Sequence, residues 1–383
     1  MKNILIEGWR EISHSFAMVN QYQIFEWLKL PAIQLRHIDL PYYDPSWANR
    51  RNDPCFPADM RSAIMGVAGP NAKHCDSVYR IATPFAKSRT ETNRVVTFMV
   101  TEFGLSESDF AVGELEAERF CEPSDLIVTP SNWSKMKLVE FGFPANKVEV
   151  VPHGVNSEVF YPLSSAERTA FRSALEVSDD HFLFLNVGAL TDNKGIHLLL
   201  YAFSIVRQRH SRARLVLKDS SGLFPLTVSK FITEYMKLNG ALPTEVLDSI
   251  YEISGTLSLA ELRLVYGAAD MYVSPYLAEG FNLPVIEAIA CGTPVIVTQG
   301  GSTDDFCDET VALPVLAERL ANAEHNCPGT GFHLQPEVDS LVEQMEKAMF
   351  IGMSGMQSFA DGRSAMVEKF SWRSAVQQLN RLL

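Results

Sequence analysis

No stretch of this chain approaches the roughly 20 consecutive apolar residues that a membrane-spanning helix needs. Positive charge is also in short supply, with 33 Lys and Arg against 46 Asp and Glu and a formal net charge of -13. That balance argues against broad binding to nucleic acid, whose phosphate backbone demands a basic face. The six cysteines, Cys55, Cys75, Cys121, Cys291, Cys307 and Cys327, are scattered. They form no C-x-x-C pair and no zinc-site spacing with histidine, so reduced thiols in a cytoplasmic protein fit them best. Residues 1–8 lack the basic start and small-residue cleavage site of a secretion signal and read as a core strand. No G-x-G-x-x-G follows that strand, which weighs against a dinucleotide oxidoreductase. There is no solenoid-period repeat and no low-complexity tract.

What is present is a globular composition, 46% hydrophobic and 21% charged, over 383 residues. That length suits two domains of comparable size. Short β-like runs alternate with amphipathic helical runs, the pattern of parallel sheets covered by helices on both faces. In the first half, strands are expected at 3–7, 95–100, Leu126–Thr129 and 148–151. A helix over 15–29 carries Phe16, Val19, Ile24 and Leu28 near one face. A second helix opens after Ser131, a good N-cap, and stops at Gly142. Turn residues and Pro162 mark a boundary between 154 and 166. The domains are therefore expected at 1–160 and 161–383, with the C-terminal helix able to pack back on the first domain. Beyond the boundary, strands are expected at Phe182–Val187, 215–218, Met271–Ser274 and 294–298. Helices are expected at 195–209, 259–267 and 284–291, and helical patterns fill the C-terminus from Pro336. Two such domains should enclose a cleft, with ligands at the carboxyl ends of the strands.

One local excess of positive charge runs through Arg50, Arg51, Arg61, Lys73, Arg80, Lys87, Arg89 and Arg94. It reads either as a solvated face or as a patch for anionic lipid head groups or an acidic partner.

The segment richest in chemistry is Glu279-Gly280-Phe281-Asn282-Leu283-Pro284-Val285-Ile286-Glu287. Pro284 suits the first turn of a helix. The unsatisfied N–H groups and dipole of that helix start make an anion site. Glu287 falls about one turn into the helix, where its carboxylate can accept two hydrogen bonds from a vicinal diol such as ribose. Glu279 lies in the preceding loop and can accept from a polyol.

These two glutamates resemble the signature of the family 4 retaining glycosyltransferases, which have the GT-B fold. The following Ala288-Ile289-Ala290-Cys291-Gly292-Thr293-Pro294-Val295-Ile296 and Gly300-Gly301 are similar to that family as well. So are Pro130-Ser131-Asn132, Val151-Pro152-His153-Gly154-Val155, and Val187-Gly188-Ala189-Leu190 with Lys194-Gly195. The resemblance implies an α/β fold of two Rossmann-like domains. It assigns the donor ribose to Glu287, hydroxyls of the transferred sugar to Glu279 and the diphosphate to Lys194. Backbone N–H groups of Gly188, Gly280, Phe281, Asn282 and Leu283 would meet the sugar or diphosphate. A cation there stabilises the charge that develops on the leaving nucleoside diphosphate.

Two departures stand out. The family usually places Arg where this chain has Ala189, so a diphosphate cation is missing; Lys218, at the end of its strand, is the candidate replacement, with a solvated strand-end Lys as the alternative. In the first domain the glycine-rich loop is reduced to Gly8-Trp9-Arg10-Glu11-Ile12-Ser13-His14-Ser15. There His14 and Ser15 are candidates to meet a phosphate or acceptor. Where many members carry a histidine, this chain has Val100-Thr101-Glu102-Phe103, which makes Glu102 a candidate partner of the acceptor hydroxyl or a structural Glu.

The resemblance implies transfer of a hexose-type sugar with retention of configuration and without a metal ion or other cofactor. The donor would be a uridine diphosphate sugar or, next, guanosine diphosphate mannose. The acceptor would be a glycan, a lipid-linked sugar or another hydroxyl compound, with a cytoplasmic location that allows peripheral contact at the inner face of the membrane. No Asp-x-Asp metal triplet is present. Same-face substitution, with the leaving phosphate taking the acceptor proton, needs no nucleophilic carboxylate of the protein. The rivals are a sugar-nucleotide epimerase of the same fold and a non-catalytic sugar-nucleotide-binding subunit.

Overall fold

Apolar runs with few polar interruptions build the central strands, as burial on both faces of a parallel sheet requires. The structure, a computed structural model, describes residues 1–50, 55–69, 75–113, 120–325, 329–351 and 357–383. Arg51 and Lys73 of the basic stretch, and Cys327, lie outside the described residues.

The chain begins with β1 (Lys2–Gly8), in which Ile4 and Ile6 are fully buried. It continues through α1 (Ser15–Leu28), β2 (Ile33–Asp39), α2 (Ala58–Met65), β3 (Ser77–Ile81), β4 (Val95–Phe98), β5 (Leu126–Thr129), α3 (Asn132–Phe141) and β6 (Val148–Val150). The strands pair in parallel in the order β2-β1-β3-β4-β5-β6. The start and stop of α3 follow local chemistry. Ser131 accepts the amide of Ser134 at 3.0 Å, and Gly142 takes φ 126 at the C-cap.

The second series comprises α4 (Ser165–Ala174), β7 (Phe182–Val187), α5 (Ile196–Arg209), β8 (Ala213–Lys218), α6 (Val228–Asn239), α7 (Thr244–Leu247) and β9 (Ile250–Ile253). It goes on with α8 (Leu259–Ala268), β10 (Met271–Ser274), α9 (Leu283–Ala290), β11 (Val295–Thr298) and β12 (Ala312–Val315). Its sheet is parallel in the order β12-β11-β10-β7-β8-β9. Phe184, Leu199, Leu217, Val273, Ile296 and Met345 belong to one buried core around it. A two-stranded sheet of β13 (Ala317–Ala321) and β14 (Phe332–Pro336) follows, then α10 (Val338–Ile351), α11 (Gln357–Lys369) and α12 (Trp372–Leu382).

Two compact units result, one of Met1–Gly154, Ala321–Phe332 and Phe370–Leu383, the other of Val155–Leu320 and His333–Lys369. The division differs from a single cut at 160. Gly154 abuts the backbone of Trp372, where a Cβ would meet the Trp372 nitrogen at 2.0 Å. Pro162 and Leu163 instead lie against Gly292 and Gly267 of the second unit. Residues 155–160 therefore go with the second unit, and two later segments return to the first.

In each unit the strand order reverses once, between β1 and β3 in the first and between β7 and β10 in the second. Open α/β sheets bind ligands beyond the carboxyl ends of the strands at such a reversal.

Candidate active site

In the second unit, the loops leaving β7 and β10 meet at this reversal. Asn193 joins them: its carbonyl accepts the Leu277 amide at 2.7 Å, and its side-chain amide donates to the Ala278 carbonyl at 3.2 Å. Gly195 caps the start of α5 in the left-handed region, φ 67, and any Cβ there would lie 1.9 Å from the Pro275 carbonyl oxygen. Glycine alone satisfies both demands. The loops thereby bring together the next residue on each, Lys194 and Glu279, as an ion pair. The Glu279 side chain is 5% exposed and that of Lys194 23%.

Three residues on, Asn282 adopts φ 76 and opens α9. Its amide does not cap the helix but donates to Ser274 Oγ at 3.0 Å, tying the loop back to β10. Phe281 is buried against Phe306, with ring centroids 4.9 Å apart. The start of α9, with Leu283 and Pro284 in its first turn, keeps the helix-terminal character expected for an anion site. Gly280 is buried in the same loop, and Gly188 follows β7 directly.

Glu287 sits on α9 and is only half-buried, yet burial pushes its carboxyl up from 4.5 to about 8. The fully buried Tyr266 of α8 donates its hydroxyl to Glu287 Oε2 at 2.9 Å, which partly offsets that rise and fixes the carboxyl group's orientation. Sequence gives no hint of Tyr266, because its partner lies on another helix. Asn193, beside Lys194, carries no local signal either; its position at a loop crossing is a property of the strand order.

Lys218 is buried at the end of β8, and its ammonium donates to the carbonyls of Asp219 at 2.5 Å and Gly255 at 3.0 Å. Its charge serves to join the ends of β8 and β9. That engagement weakens the expectation that it replaces the missing arginine at Ala189, since turning to a phosphate would break both bonds.

In the first unit, Glu102 is half-buried on the loop after β4. The loop is fixed from α3, where Trp133 Nε1 donates to the Glu102 carbonyl at 2.8 Å and Ser134 Oγ accepts the Thr101 amide at 3.0 Å. His14 is the N-cap of α1: its Nδ1 accepts the Phe16 amide at 3.3 Å, and its ring lies 5.3 Å from Trp9 and 5.0 Å from Trp47. Burial lowers its pKa to about 4, so His14 is neutral near pH 7 and brings no cation to a phosphate. Ser15, the first residue of α1, is exposed. At the end of β1, the buried Glu7 accepts from Arg80 Nη1 at 2.9 Å, Ser88 Oγ at 2.8 Å and Thr90 Oγ1 at 2.9 Å. Lys87 pairs with Glu122 at 2.7 Å and Asp125 at 2.9 Å. Arg80 and Lys87 are thus engaged in ion pairs and do not form an open basic face.

Residues 167–350 match the family model described as glycosyl transferases group 1. Over those residues, just under half of the chain, it is similar to the group 1 glycosyl transferases. Among curated relatives, an uncharacterized glycosyltransferase of Methanocaldococcus jannaschii is 27% identical over 258 residues, covering 63% of this chain and 61% of that protein. Mannosylfructose-phosphate synthase of Agrobacterium fabrum is 27% identical over 245 residues, covering 62% and 52%. The chain thus spans little more than half the length of these relatives. The solved structure of Anabaena HepE in complex with UDP and glucose has a TM-score of 0.70 at 14% identity, with 100% of this chain and 99% of that one covered. That likeness shows the fold: the chain has the GT-B architecture, with one parallel α/β sheet in each unit.

Proposed function

We propose that the chain transfers a hexose-type sugar from a nucleoside diphosphate sugar to a hydroxyl of a glycan or lipid-linked acceptor, with retention of configuration and without a metal ion. The observation that carries this reading is the meeting of Lys194 and Glu279 beside the start of α9, at the strand reversal of the second unit, with Glu287 on the same helix. A cation and a helix N-terminus suit a diphosphate, and two carboxyl groups of different setting suit two sets of hydroxyls. Glu287, oriented by Tyr266, takes the ribose; Glu279 takes the transferred sugar. UDP-sugars are the first choice of donor, since HepE is solved with UDP, and GDP-mannose is the second.

In the reaction, the bond between the sugar's anomeric carbon and the diphosphate oxygen breaks while the acceptor oxygen adds on the same face. The acceptor proton passes to the departing phosphate oxygen. Lys194 and the α9 N–H groups stabilise the charge gathering on that phosphate. Glu102 of the first unit is proposed to meet the acceptor hydroxyl.

A thermal-shift panel of UDP, UDP-glucose, GDP and GDP-mannose, each with EDTA, tests the donor assignment. At least one should raise the melting temperature, because a ligand that binds only the native state stabilises it. In Lys194→Ala the binding of that ligand should weaken by about 1–3 kcal/mol, as for loss of a charged hydrogen bond. No shift with any of the four would remove the reading. Turnover that vanishes with EDTA and returns with magnesium would remove its metal-free part.

A further inference from the structure

We infer that Glu279 competes with the donor's diphosphate for Lys194, so that the site holds an intact nucleotide sugar in preference to the nucleoside diphosphate left after transfer. The inference rests on the donor site proposed above and deepens it.

The two loops cannot easily part to open the Lys194–Glu279 pair. The Asn193 carbonyl and amide bond to Leu277 and Ala278, immediately beside the pair on each loop, and Gly195 backs onto Pro275. The pair must open by side-chain rotation. Lys194 is the more exposed partner, 23% against 5% for Glu279, so an arriving anion reaches the ammonium first and leaves the carboxylate behind.

What that carboxylate then finds depends on the ligand. A free nucleoside diphosphate draws Lys194 away and offers Glu279 no hydrogen-bond donor. A buried carboxylate stripped of its partner is strongly unfavourable, and a phosphate close by adds repulsion. An intact nucleotide sugar takes the ammonium with its phosphate and replaces it at Glu279 with sugar hydroxyls. Once the sugar has moved to the acceptor, those hydroxyls are gone. Glu279 recaptures Lys194, and the grip on the nucleotide loosens. The same pair that admits the donor therefore helps to discharge the product.

The test is calorimetric titration of wild type, Glu279→Gln, Lys194→Met and the double variant with UDP, UDP-glucose, GDP and GDP-mannose. In Glu279→Gln the free diphosphate should bind about tenfold more tightly, the scale of one charged hydrogen bond no longer contested. The nucleotide sugar should bind no more tightly, so the preference for intact donor shrinks. In the Lys194→Met background the gain should fall to about twofold or less, as a double-mutant cycle on a direct pair requires. Glu279→Ala should shift diphosphate affinity in the same direction, which covers a folding defect particular to the glutamine variant. Tight wild-type binding with unchanged or weaker diphosphate affinity in both Glu279 variants overturns the competition. A full-sized gain in the Lys194→Met background overturns it too, since general repulsion would then be the cause. Wild-type protein that binds none of the four ligands overturns the donor site itself.

Discussion

At the scale of single residues, the side chains of the second unit's site take their character from neighbours distant in sequence. Glu287 is the clearest case. Its carboxyl titrates near 4.5 in an unfolded chain and near 8 in the fold, because burial disfavours the charged form. Between those values the folded protein binds more protons than the unfolded chain. The stability contributed by this group is therefore fully present below pH 4.5 and is lost as the pH rises through about 8. Urea midpoints followed from about pH 5 to about pH 9 should fall less steeply in Glu287→Gln than in the wild type. Parallel profiles in the two proteins would place the titration on another group. Glu279 and Lys194 illustrate the same dependence with opposite charges: each was read as a ligand-binding residue in its own loop, and the fold gives each the other as its partner.

At the scale of elements, the site is a junction of two loops and one helix start, and glycine geometry sets how closely they approach. Gly195 opens α5 as a left-handed cap rather than as the helix's first residue, because the adjoining loop passes directly against it. Gly195→Ala should destabilise the protein by about 1–2 kcal/mol from the backbone conformation alone, with the contact to Pro275 adding to it. It should also weaken nucleotide binding, since relief of the clash spreads Asn193 from Leu277. Urea denaturation together with a UDP titration checks both parts, and a variant of wild-type stability would show that the loops tolerate separation. Other elements follow local rules that are legible without the fold. Ser131 and Gly142 bound α3, and the apolar runs of β5, β7 and β10 coincide with their strands end to end. The sequence pattern over 30–94 and 219–258 marks no clear elements, although β2, β3, α6 and β9 lie there. Their strands mix polar with apolar residues, as in Ile33–Asp39 and Ser77–Ile81, so periodicity alone does not separate them from loops.

At the scale of the whole chain, the units are not two consecutive stretches. The segment Phe370–Leu383 belongs with the first unit, where Trp372 is 3% exposed. Its ring stacks on Tyr22 with centroids 4.9 Å apart and lies 5.6 Å from that of His153. Trp372→Ala should cost about 3–5 kcal/mol, the range for deleting a buried aromatic. Chemical denaturation should register that loss in the first unit, with the donor binding proposed for the second unit retained under native conditions. A loss below about 1 kcal/mol would show that the C-terminal helix adds little to its core.

The sequence by itself determined the alternation of strands and helices, the caps and turns that bound many of them, the doubled α/β architecture and the loop and helix start that bear Glu279 and Glu287. All of these are written in short-range patterns: apolar runs, N-caps, a proline in a helix's first turn, a glycine at a stop. Only the tertiary structure decided which loops meet. Strand order places β10 beside β7, and so Glu279 against Lys194. Packing of α8 against α9 gives Glu287 its tyrosine, and the close of β8 and β9 gives Lys218 the Gly255 carbonyl. The return of Ala321–Phe332 and Phe370–Leu383 to the first unit was settled there as well. These pairings join residues tens to hundreds of positions apart, and their energy depends on desolvation and geometry that exist only once the sheets have formed.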